Sequence, residues 1–246
     1  MIDGSTELSR VTWKSVVDVA CDKLREAILH GAFAPGQQLV EQQVASDLGV
    51  SRGTAREALR RLCDEGIATS APNRGVFVRV LMLDDVLDLY NARAGIEGVA
   101  IRLCTRLRRP TATLRELIDE MDARAEQGDA AGVSDAELAF HQEVCRLSGN
   151  DYLAATFRSI AGPTRLAFAG EYLAYGSIDD VGAQHLLLVE AIESGDEERA
   201  AQALVEHVDI GLTLDQAQVG FRWPDPSAVG GGLIVVGGVA THPLAA

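Results

Sequence analysis

Apolar residues recur at helical spacing in three short segments near the start of the chain, residues 15–30, 41–48 and 51–62. Gly49 suits the left-handed residue that ends a helix, and Ser51 is a good N-cap for the helix that follows it. The pattern therefore predicts three helices, with a tight glycine turn between the second and the third.

The third segment has two chemically different faces. Arg52, Arg56 and Arg60 follow one another at i, i+4 and i+8, which places them in one basic stripe. The opposite side is apolar and would face a core; it carries Ala55, Ala58, Leu59 and Leu62. A helix, a glycine turn and a helix with a basic face are typical of a helix-turn-helix whose second helix enters a DNA major groove. The alternative is a solvated basic face on an ordinary helical hairpin.

A hairpin is predicted directly after this helix. Two β-prone runs, residues 67–70 and 76–80, flank the turn-forming residues 71–75. A hairpin in this place is a wing, and Arg74 at its tip could reach a minor groove or a phosphate. Residues 12–80 are therefore predicted to form a winged-helix DNA-binding domain. Its candidate DNA-contacting residues are Ser51, Arg52, Thr54, Arg56, Arg60 and Arg74.

The rest of the chain is predicted to be helical, so the fold class is mainly α. Six amphipathic segments cover residues 84–108, 111–127, 130–147, 151–172, 178–194 and 197–218. Joined by short loops, they predict an antiparallel bundle over residues 81–218, in which Gly162-Pro163 should kink the fourth segment. Residues 219–246 are predicted to be a disordered tail, or else a strand of residues 233–236 that docks on a neighbour.

The distribution of charge restricts where nucleic acid could bind. Residues 1–80 carry ten Lys/Arg and ten Asp/Glu, so the remaining residues carry the whole net charge of −14. An acidic body repels phosphates, and any contact with nucleic acid must come from the first third of the chain. Aromatic residues make up only 5% of the sequence, which favours a core of helices packed through aliphatic side chains.

The four cysteines (Cys21, Cys63, Cys104 and Cys145) form no CxxC pair and are expected to be buried free thiols in a reducing compartment. No signal peptide is visible, and no apolar run approaches the roughly 20 residues that a membrane helix needs. These features predict a cytoplasmic protein.

Three of the five histidines, His141, His185 and His207, lie in the predicted bundle, each in a different helix. Glu137 precedes His141 by one helical turn and projects from the same face, whereas Asp135 points away. Three imidazoles and a carboxylate could meet and bind a divalent cation. The alternative is that each histidine is satisfied separately, because sequence does not show that the three helices converge.

Two further residues of the bundle are candidates for chemistry. Cys145 lies one turn beyond His141, where a small apolar residue under the site is favoured over a thiolate ligand. Arg93 is flanked by Tyr90, Ala94 and Ile96, so it could be a buried clamp for an anion or simply an exposed arginine.

Several stretches of the chain resemble one family of bacterial proteins. The N-terminal stretches are Gly31-Ala-Phe-Ala-Pro-Gly-Gln-Gln-Leu, Leu48-Gly-Val-Ser-Arg-Gly-Thr-Ala-Arg-Glu-Ala-Leu-Arg-Arg-Leu, Glu65-Gly and Arg74-Gly-Val-Phe-Val. The C-terminal ones are Leu89-Tyr-Asn-Ala-Arg-Ala-Gly-Ile-Glu-Gly, Glu137-Leu-Ala-Phe-His-Gln, Ser148-Gly-Asn, and His185 followed by Glu190-Ala-Ile-Glu-Ser-Gly-Asp. Together they are similar to GntR-type transcription regulators of the FadR subgroup, which carry an FCD ligand-sensing domain. The resemblance covers residues 12–216.

The resemblance implies a homodimer that binds a palindromic operator in double-stranded DNA and senses a small carboxylate effector. In many relatives an Asp and three His hold a metal, and those positions match Glu137, His141, His185 and His207 here, with Glu in place of Asp. The implied cofactor is a divalent ion such as zinc or nickel, and Arg93 and Asn150 are the candidate effector-binding residues. Gly53 stands where relatives often carry Thr, and Gln42 where some carry an Arg that touches DNA.

Three functions are consistent with these features. A ligand-responsive regulator, most often a repressor in this family, accounts for both halves of the chain. A metal sensor would use the ion itself as the signal. A metalloenzyme could use the same ligands, but the sequence offers no further base or nucleophile at a recognisable spacing, and the helix-turn-helix would have no purpose.

Overall fold

The computed structural model describes residues 14–175 and 180–209. The N-terminal part begins with α1 (Val16–Leu29), the short strand β1 (Gln38–Leu39), α2 (Glu41–Leu48) and α3 (Arg52–Asp64), and ends with strands β2 (Ala68–Ala71) and β3 (Gly75–Val78). The three predicted helices and the hairpin are all present.

Local side-chain chemistry fixes the ends of these helices. Ser15 and Asp18 form a reciprocal capping box at the start of α1, in which each side chain accepts a hydrogen bond from the other's backbone N–H. Gly49 ends α2 with a left-handed φ of 64°, a conformation that costs glycine little. Ser51 then caps α3, since its hydroxyl oxygen accepts a hydrogen bond from the Thr54 N–H at 3.1 Å. The predicted turn between α2 and α3 thus has the expected geometry.

The sheet has one strand more than the sequence predicted. Its order is β1-β3-β2, all antiparallel, with Gln38 opposite Phe77 and Thr69 also opposite Phe77 on the other side. β1 is only two residues long, which is too short for alternating hydrophobicity to reveal it. It ties the segment before the helix-turn-helix to the wing.

The second part of the chain is all helical. It contains α4 (Leu83–Arg106), α5 (Ala112–Glu126), α6 (Ala130–Leu147), α7 (Asp151–Tyr175), α8 (Val181–Ser194) and α9 (Glu197–Asp209). The first five of these helices match their predicted segments to within a few residues, and α9 begins at the predicted residue 197. α7 runs through Pro163 as a single helix. Their core is built around the fully buried rings of Phe140, Phe157 and Phe168.

The two parts meet where the end of α3 approaches the middle of α7. A Cβ atom at Gly162 would overlap the carbonyl oxygen of Glu65, so the two backbones are in direct contact there. Gly66, with a φ of 76°, lies against the ring of Pro163: a Cβ atom added at Gly66 would be only 2.9 Å from the Cδ atom of that ring. Leu166, one turn further along α7, packs against both hydrophobic cores. This contact, which we name the α3–α7 junction (Glu65, Gly66, Gly162, Pro163 and Leu166), connects the N-terminal part to the helical part.

The Gly162→Ala variant is expected to unfold more easily, by about 1–3 kcal/mol, because the added methyl group must displace backbone. Chemical denaturation measures the change. Gly95→Ala is the matched control: it also lies inside a helix, but its added Cβ would meet nothing within 4 Å. It should be neutral or stabilising by up to about 1 kcal/mol. Equal effects for the two variants would show that the junction is loosely packed.

The expectations for the cysteines, the tail and membrane-spanning segments can be compared with the described residues. Cys21, Cys104 and Cys145 are buried free thiols as expected, but Cys63 is only half-buried because it lies on the partly exposed side of α3. The predicted tail and the proposed end of the last helix beyond residue 209 lie outside the described residues. Within the described ranges, no helix is long and apolar enough to span a bilayer.

Candidate metal centre and DNA-contacting surface

Helix α3 presents the basic stripe to solvent. Arg52, Arg56 and Arg60 are all exposed, whereas the opposite side of the helix is completely buried. The buried side is formed by Ala55, Ala58, Leu59 and Leu62, each at most 1% exposed. The predicted division of α3 into a core face and a basic face is therefore present.

The three arginines differ in their partners. Arg56 donates hydrogen bonds to both carboxylate oxygens of Glu41, at 2.9 and 3.1 Å, and so braces α3 against α2. Arg60 is held by Glu57 and Asp64 on its own helix. Arg52 has no hydrogen bond or ion pair to any of the described residues. Its guanidinium is thus the member of the stripe most available to a phosphate or a base edge.

The remaining candidate DNA contacts lie at the start of α3 and in the hairpin. The hydroxyl groups of Ser51 and Thr54 are 2.9 Å apart, next to the exposed N-terminal turn of α3, where partial positive charge favours anions. Arg74 follows Asn73, which has a left-handed φ of 60°, in the tight turn of the hairpin. Its guanidinium lies over the Phe77 ring, 5.8 Å from the centroid.

The three histidines and Glu137 come together in the helical part. Glu137 and His141 project from α6, His185 from α8 and His207 from α9, and one ligand atom from each lies within 4.8 Å of the others. His141 is central: its Nε2 is 3.3 Å from Nε2 of His185 and 3.4 Å from Nε2 of His207. Asp135, as predicted, points elsewhere and pairs with Arg165. We name the four converging residues the histidine cluster.

Hydrogen-bond partners assign the tautomers of two of these histidines. Nδ1 of His185 is 2.7 Å from the carbonyl oxygen of Val181, which can only accept, so Nδ1 carries the proton. Nδ1 of His141 is 2.5 Å from Oε2 of Glu97. Burial raises the pKa of Glu97, but the adjacent Arg93 guanidinium opposes this and favours the carboxylate form, which can only accept from Nδ1. Both Nε2 atoms are then left with lone pairs that face each other without a proton between them. Such an arrangement is stabilised by a cation.

Burial keeps the imidazoles neutral, which is the form that binds metals. Loss of hydration lowers the pKa of His185 to about 3, and the neighbouring His141 contributes in the same direction. Burial likewise lowers the pKa values of His141 and His207 well below the usual value of 6.5. The cluster therefore offers three uncharged imidazole nitrogens beside the carboxyl group of Glu137.

Arg93 is buried rather than exposed, and it lies beside this cluster. It is only 1% exposed and is held between two aromatic rings, with its guanidinium carbon 4.9 Å from the centroid of Tyr90 and 4.8 Å from that of Phe168. Its Nε donates to Oε1 of Glu97 at 2.9 Å, while its Nη2 is buried without a hydrogen-bond partner among the described residues. A buried donor of this kind is costly unless a ligand satisfies it.

Glu97 is a residue of this site that the sequence analysis missed. It is completely buried and contacts both Arg93 and His141. Its position four residues after Arg93 was a usable signal, because it predicts an ion pair on one helix face. A glutamate in an amphipathic helix is nevertheless usually solvent-exposed.

Two candidates lie outside the cluster. The side-chain oxygen of Asn150 caps α7, accepting hydrogen bonds from the N–H groups of Tyr152 and Leu153 at 3.0 and 3.2 Å. Among the described residues it makes no contact with the four ligands or with Arg93. Cys145 is completely buried, and burial raises the pKa of its thiol, which disfavours a thiolate ligand.

A separate cleft of about 550 Å³ lies between α1 and the helices α5 to α7. Most of its charged groups already pair with one another. Arg25 binds Asp22, Arg124 binds Asp129, and His30 lies 3.9 Å from Asp129. The cleft also contains Arg165, whose Nε is buried without a hydrogen-bond partner among the described residues, but the four converging metal-ligand side chains lie elsewhere. The histidine cluster and Arg93 are therefore the better candidates for a ligand site.

Both parts of the chain match models of known protein families. Residues 17–78, which contain the helix-turn-helix and the wing, match the family model of the bacterial regulatory proteins of the gntR family. Residues 88–210, which contain the whole histidine cluster, match the model of the FCD domain. The chain belongs to the GntR family of bacterial transcriptional regulators. Its members are DNA-binding regulators, so the metalloenzyme alternative is not supported.

Individual relatives agree with this assignment. A regulator of Aminobacter aminovorans, named the Nta operon transcriptional regulator, is 35% identical over 182 residues, covering 72% of this chain and 83% of that protein. A protein of Paenarthrobacter nicotinovorans, named "Probable D-xylose utilization operon transcriptional repressor", is 31% identical and covers 81% and 88%.

Solved structures show the same architecture. A protein from Rhodococcus sp. RHA1, described as "a putative transcriptional regulator GntR", superposes with a TM-score of 0.72 at 28% identity, covering 83% of this chain and 99% of that one. The Escherichia coli protein McbR/YncC superposes with a TM-score of 0.65 at 21% identity, covering 81% and 96%, and supports the fold alone.

Proposed function

We propose that this GntR regulator is ligand-responsive. Glu137, His141, His185 and His207 hold a divalent metal ion, and a small carboxylate binds beside it and controls operator affinity. The observation that carries this proposal is the convergence of the Nε2 atoms on His141, with the lone pairs of His141 and His185 facing each other at 3.3 Å. Some FCD domains bind a metal, which agrees with the proposal.

The donor set fits zinc or nickel. Both ions accept imidazole nitrogen together with a carboxylate oxygen, and the three histidines are already neutral. Glu137 stands where the family usually has Asp, and its longer side chain is nevertheless within reach of the three imidazoles. With only one carboxylate among the four ligands, the ion would leave the site positively charged and attractive to an anion.

Arg93 supplies a second positive group for that anion. Its partnerless Nη2 would be satisfied by a carboxylate oxygen, and a charge-assisted hydrogen bond of this kind is stronger than a neutral one. A ligand held by the ion and by Arg93 would join α4 to α6, α8 and α9. The effector class that fits is therefore a small carboxylic acid.

Helix α7 is the route by which such binding can reach DNA. Its Phe168 ring lies 5.9 Å from the ring of His141, between centroids, and stacks on Arg93. The same helix forms the α3–α7 junction through Gly162, Pro163 and Leu166. A ligand can shift the equilibrium between two placements of α3 only as far as its affinities for the two differ. Its effect on operator affinity is therefore limited in size, and DNA must change the affinity for the ligand by the same factor.

DNA binding is proposed to occur as a homodimer on a palindromic operator. One winged helix covers one half-site, and the acidic helical part offers exposed apolar side chains such as Val99 on α4 and Val205 on α9, each about half exposed. Light scattering should give a dimer at micromolar concentration. A monomer both with and without DNA would contradict this arrangement.

The Arg93→Ala variant is expected to keep the metal and to bind carboxylates more weakly, because the ligand loses one charged partner while the four metal ligands remain. Calorimetric titration of metal-loaded protein with citrate measures this. Arg102→Ala is the matched control, since Arg102 lies on the same helix but is partly exposed and pairs with Glu198. Unchanged citrate affinity in Arg93→Ala would remove Arg93 from the effector site.

A thermal-shift screen separates the proposal from the metal-sensor alternative. Protein treated with EDTA is melted with Zn²⁺ or Ni²⁺, with acetate, succinate or citrate, and with both together. A carboxylate-responsive regulator gains stability from the acid when metal is present. If the ion alone changes operator affinity and no acid adds to it, the metal is the signal.

A further inference from the structure

Glu97 is the most deeply buried carboxylate of the site. Its side chain is 0% exposed, and its two oxygens face different partners. Oε1 accepts from Nε of Arg93 at 2.9 Å, and Oε2 lies 2.5 Å from Nδ1 of His141. Glu97 therefore joins the proposed anion-binding arginine to the central imidazole of the histidine cluster.

The protonation of His141 matters more than that of its neighbours because its Nε2 is the atom on which the cluster converges. If Nε2 carried the proton, an N–H group would point at the Nε2 atoms of His185 and His207 and occupy the place where an ion must bind. Only the tautomer with the proton on Nδ1 presents a lone pair there. An acceptor beside Nδ1 decides between the two tautomers.

The charge of Glu97 is hard to explain by stability alone. A buried ion pair such as Arg93–Glu97 is often no better for stability than well-packed apolar residues of the same size. A conventional helix of the core would place a leucine at this position. The contact with Nδ1 of His141 gives the carboxylate a purpose that packing does not.

We infer that Glu97 is a positioning residue, which holds the proton of His141 on Nδ1 and thereby keeps Nε2 ready to bind the metal ion. The inference rests on the proposed metal function of the cluster. Because Glu97 also holds Arg93, it fixes the relative places of the ion and the anion-binding group. Val181 performs the corresponding task for His185 through its backbone carbonyl.

The test uses the Glu97→Gln variant of the full-length chain, which keeps the shape of the side chain. Arg93 only donates, so it claims the amide oxygen and leaves the amide NH₂ facing His141. Nδ1 must then accept, and the proton moves to Nε2. Zn²⁺ affinity, measured by competition with a chelator, is expected to fall about 10- to 100-fold. In ¹H–¹⁵N spectra of the metal-free protein, His141 should change from the Nδ1–H to the Nε2–H tautomer.

A matched control separates positioning from general damage to α4. Thr105 lies two turns further along the same helix, is 1% exposed, and donates its hydroxyl to the Ile101 carbonyl without touching the cluster. Thr105→Val should leave both the Zn²⁺ affinity and the His141 tautomer unchanged. If Glu97→Gln fails to fold because Arg93 loses its counter-charge, the double variant Arg93→Met with Glu97→Leu buries no charge. It should show mixed His141 tautomers and a similar loss of Zn²⁺ affinity.

The outcomes distinguish the inference from the function on which it rests. Wild-type Zn²⁺ affinity retained in a folded Glu97 variant, with His141 still in the Nδ1–H form, would overturn the positioning role while leaving the metal site intact. If wild-type protein binds neither Zn²⁺ nor Ni²⁺, the proposed function fails. The spectra of the metal-free protein then still decide whether Glu97 sets the tautomer.

Discussion

The His185→Ala and His207→Ala variants are expected to lose bound metal and all response to carboxylates while they keep basal DNA binding. Each change removes one of four ligands from the cluster, and the two residues lie on α8 and α9 rather than on an element of the DNA-binding part. Elemental analysis measures the metal, and anisotropy of a labelled operator, selected beforehand from random duplexes, measures DNA binding with and without citrate. The expected metal content is one ion per chain in the wild type and close to none in the variants.

His30→Ala is the control for these variants, because His30 is half-exposed, caps the C-terminal end of α1 and faces Asp129 rather than the cluster. It should retain both the metal and the response. If a variant lacking His141, His185 and His207 still responded fully to its effector, the metal would be structural or absent and the sensing site would lie elsewhere.

The Arg56→Ala variant is expected to lose about 1–3 kcal/mol of specific DNA binding, or roughly 5- to 150-fold in affinity. Arg56 lies on the exposed face of the recognition helix, and its bidentate pairing with Glu41 holds its guanidinium in place before DNA arrives. Arg52→Ala should cost a similar amount, since Arg52 already lacks a partner among the described residues. Anisotropy titration at fixed salt measures both.

Arg146→Ala serves as the control, because Arg146 is exposed but lies on α6, far along the chain from the winged helix. Arg60→Ala should have a smaller effect than Arg56→Ala, since Arg60 lies one turn further from the N-terminal end of α3, the end of a recognition helix that contacts bases. Arg74→Ala and Thr54→Ala should also have smaller effects, because these residues are expected to position the protein on the DNA backbone. Normal operator binding by Arg56→Ala would show that α3 does not dock through its basic face.

The helices were predictable because their signals are local. The period of the apolar residues, the Ser51 cap and the left-handed Gly49 all act within one turn, and the structure has them where the pattern places them. β1 was missed because two residues carry no period, and it forms only through pairing with the distant β3. The contact of Gly162 with Glu65 is likewise a tertiary event that no local rule reveals.

The site was predictable in part, for the same reason. Glu137 and His141 share a helix face, but their meeting with His185 and His207 depends on the packing of three helices. Glu97 was overlooked because its partner His141 is 44 residues away. The Oδ1 atom of Asn150 caps α7, and the predicted role of this residue in effector binding stays a prediction.

The central claim is that a metal ion in the histidine cluster recruits the carboxylate, and thermal denaturation of the wild-type protein tests it most directly. EDTA-treated protein is melted with citrate alone, with Ni²⁺ alone and with both. The account predicts that citrate raises the melting temperature only in the presence of Ni²⁺, because the ion supplies most of its binding site. An equal citrate-induced shift in EDTA-treated and Ni²⁺-loaded protein would contradict it.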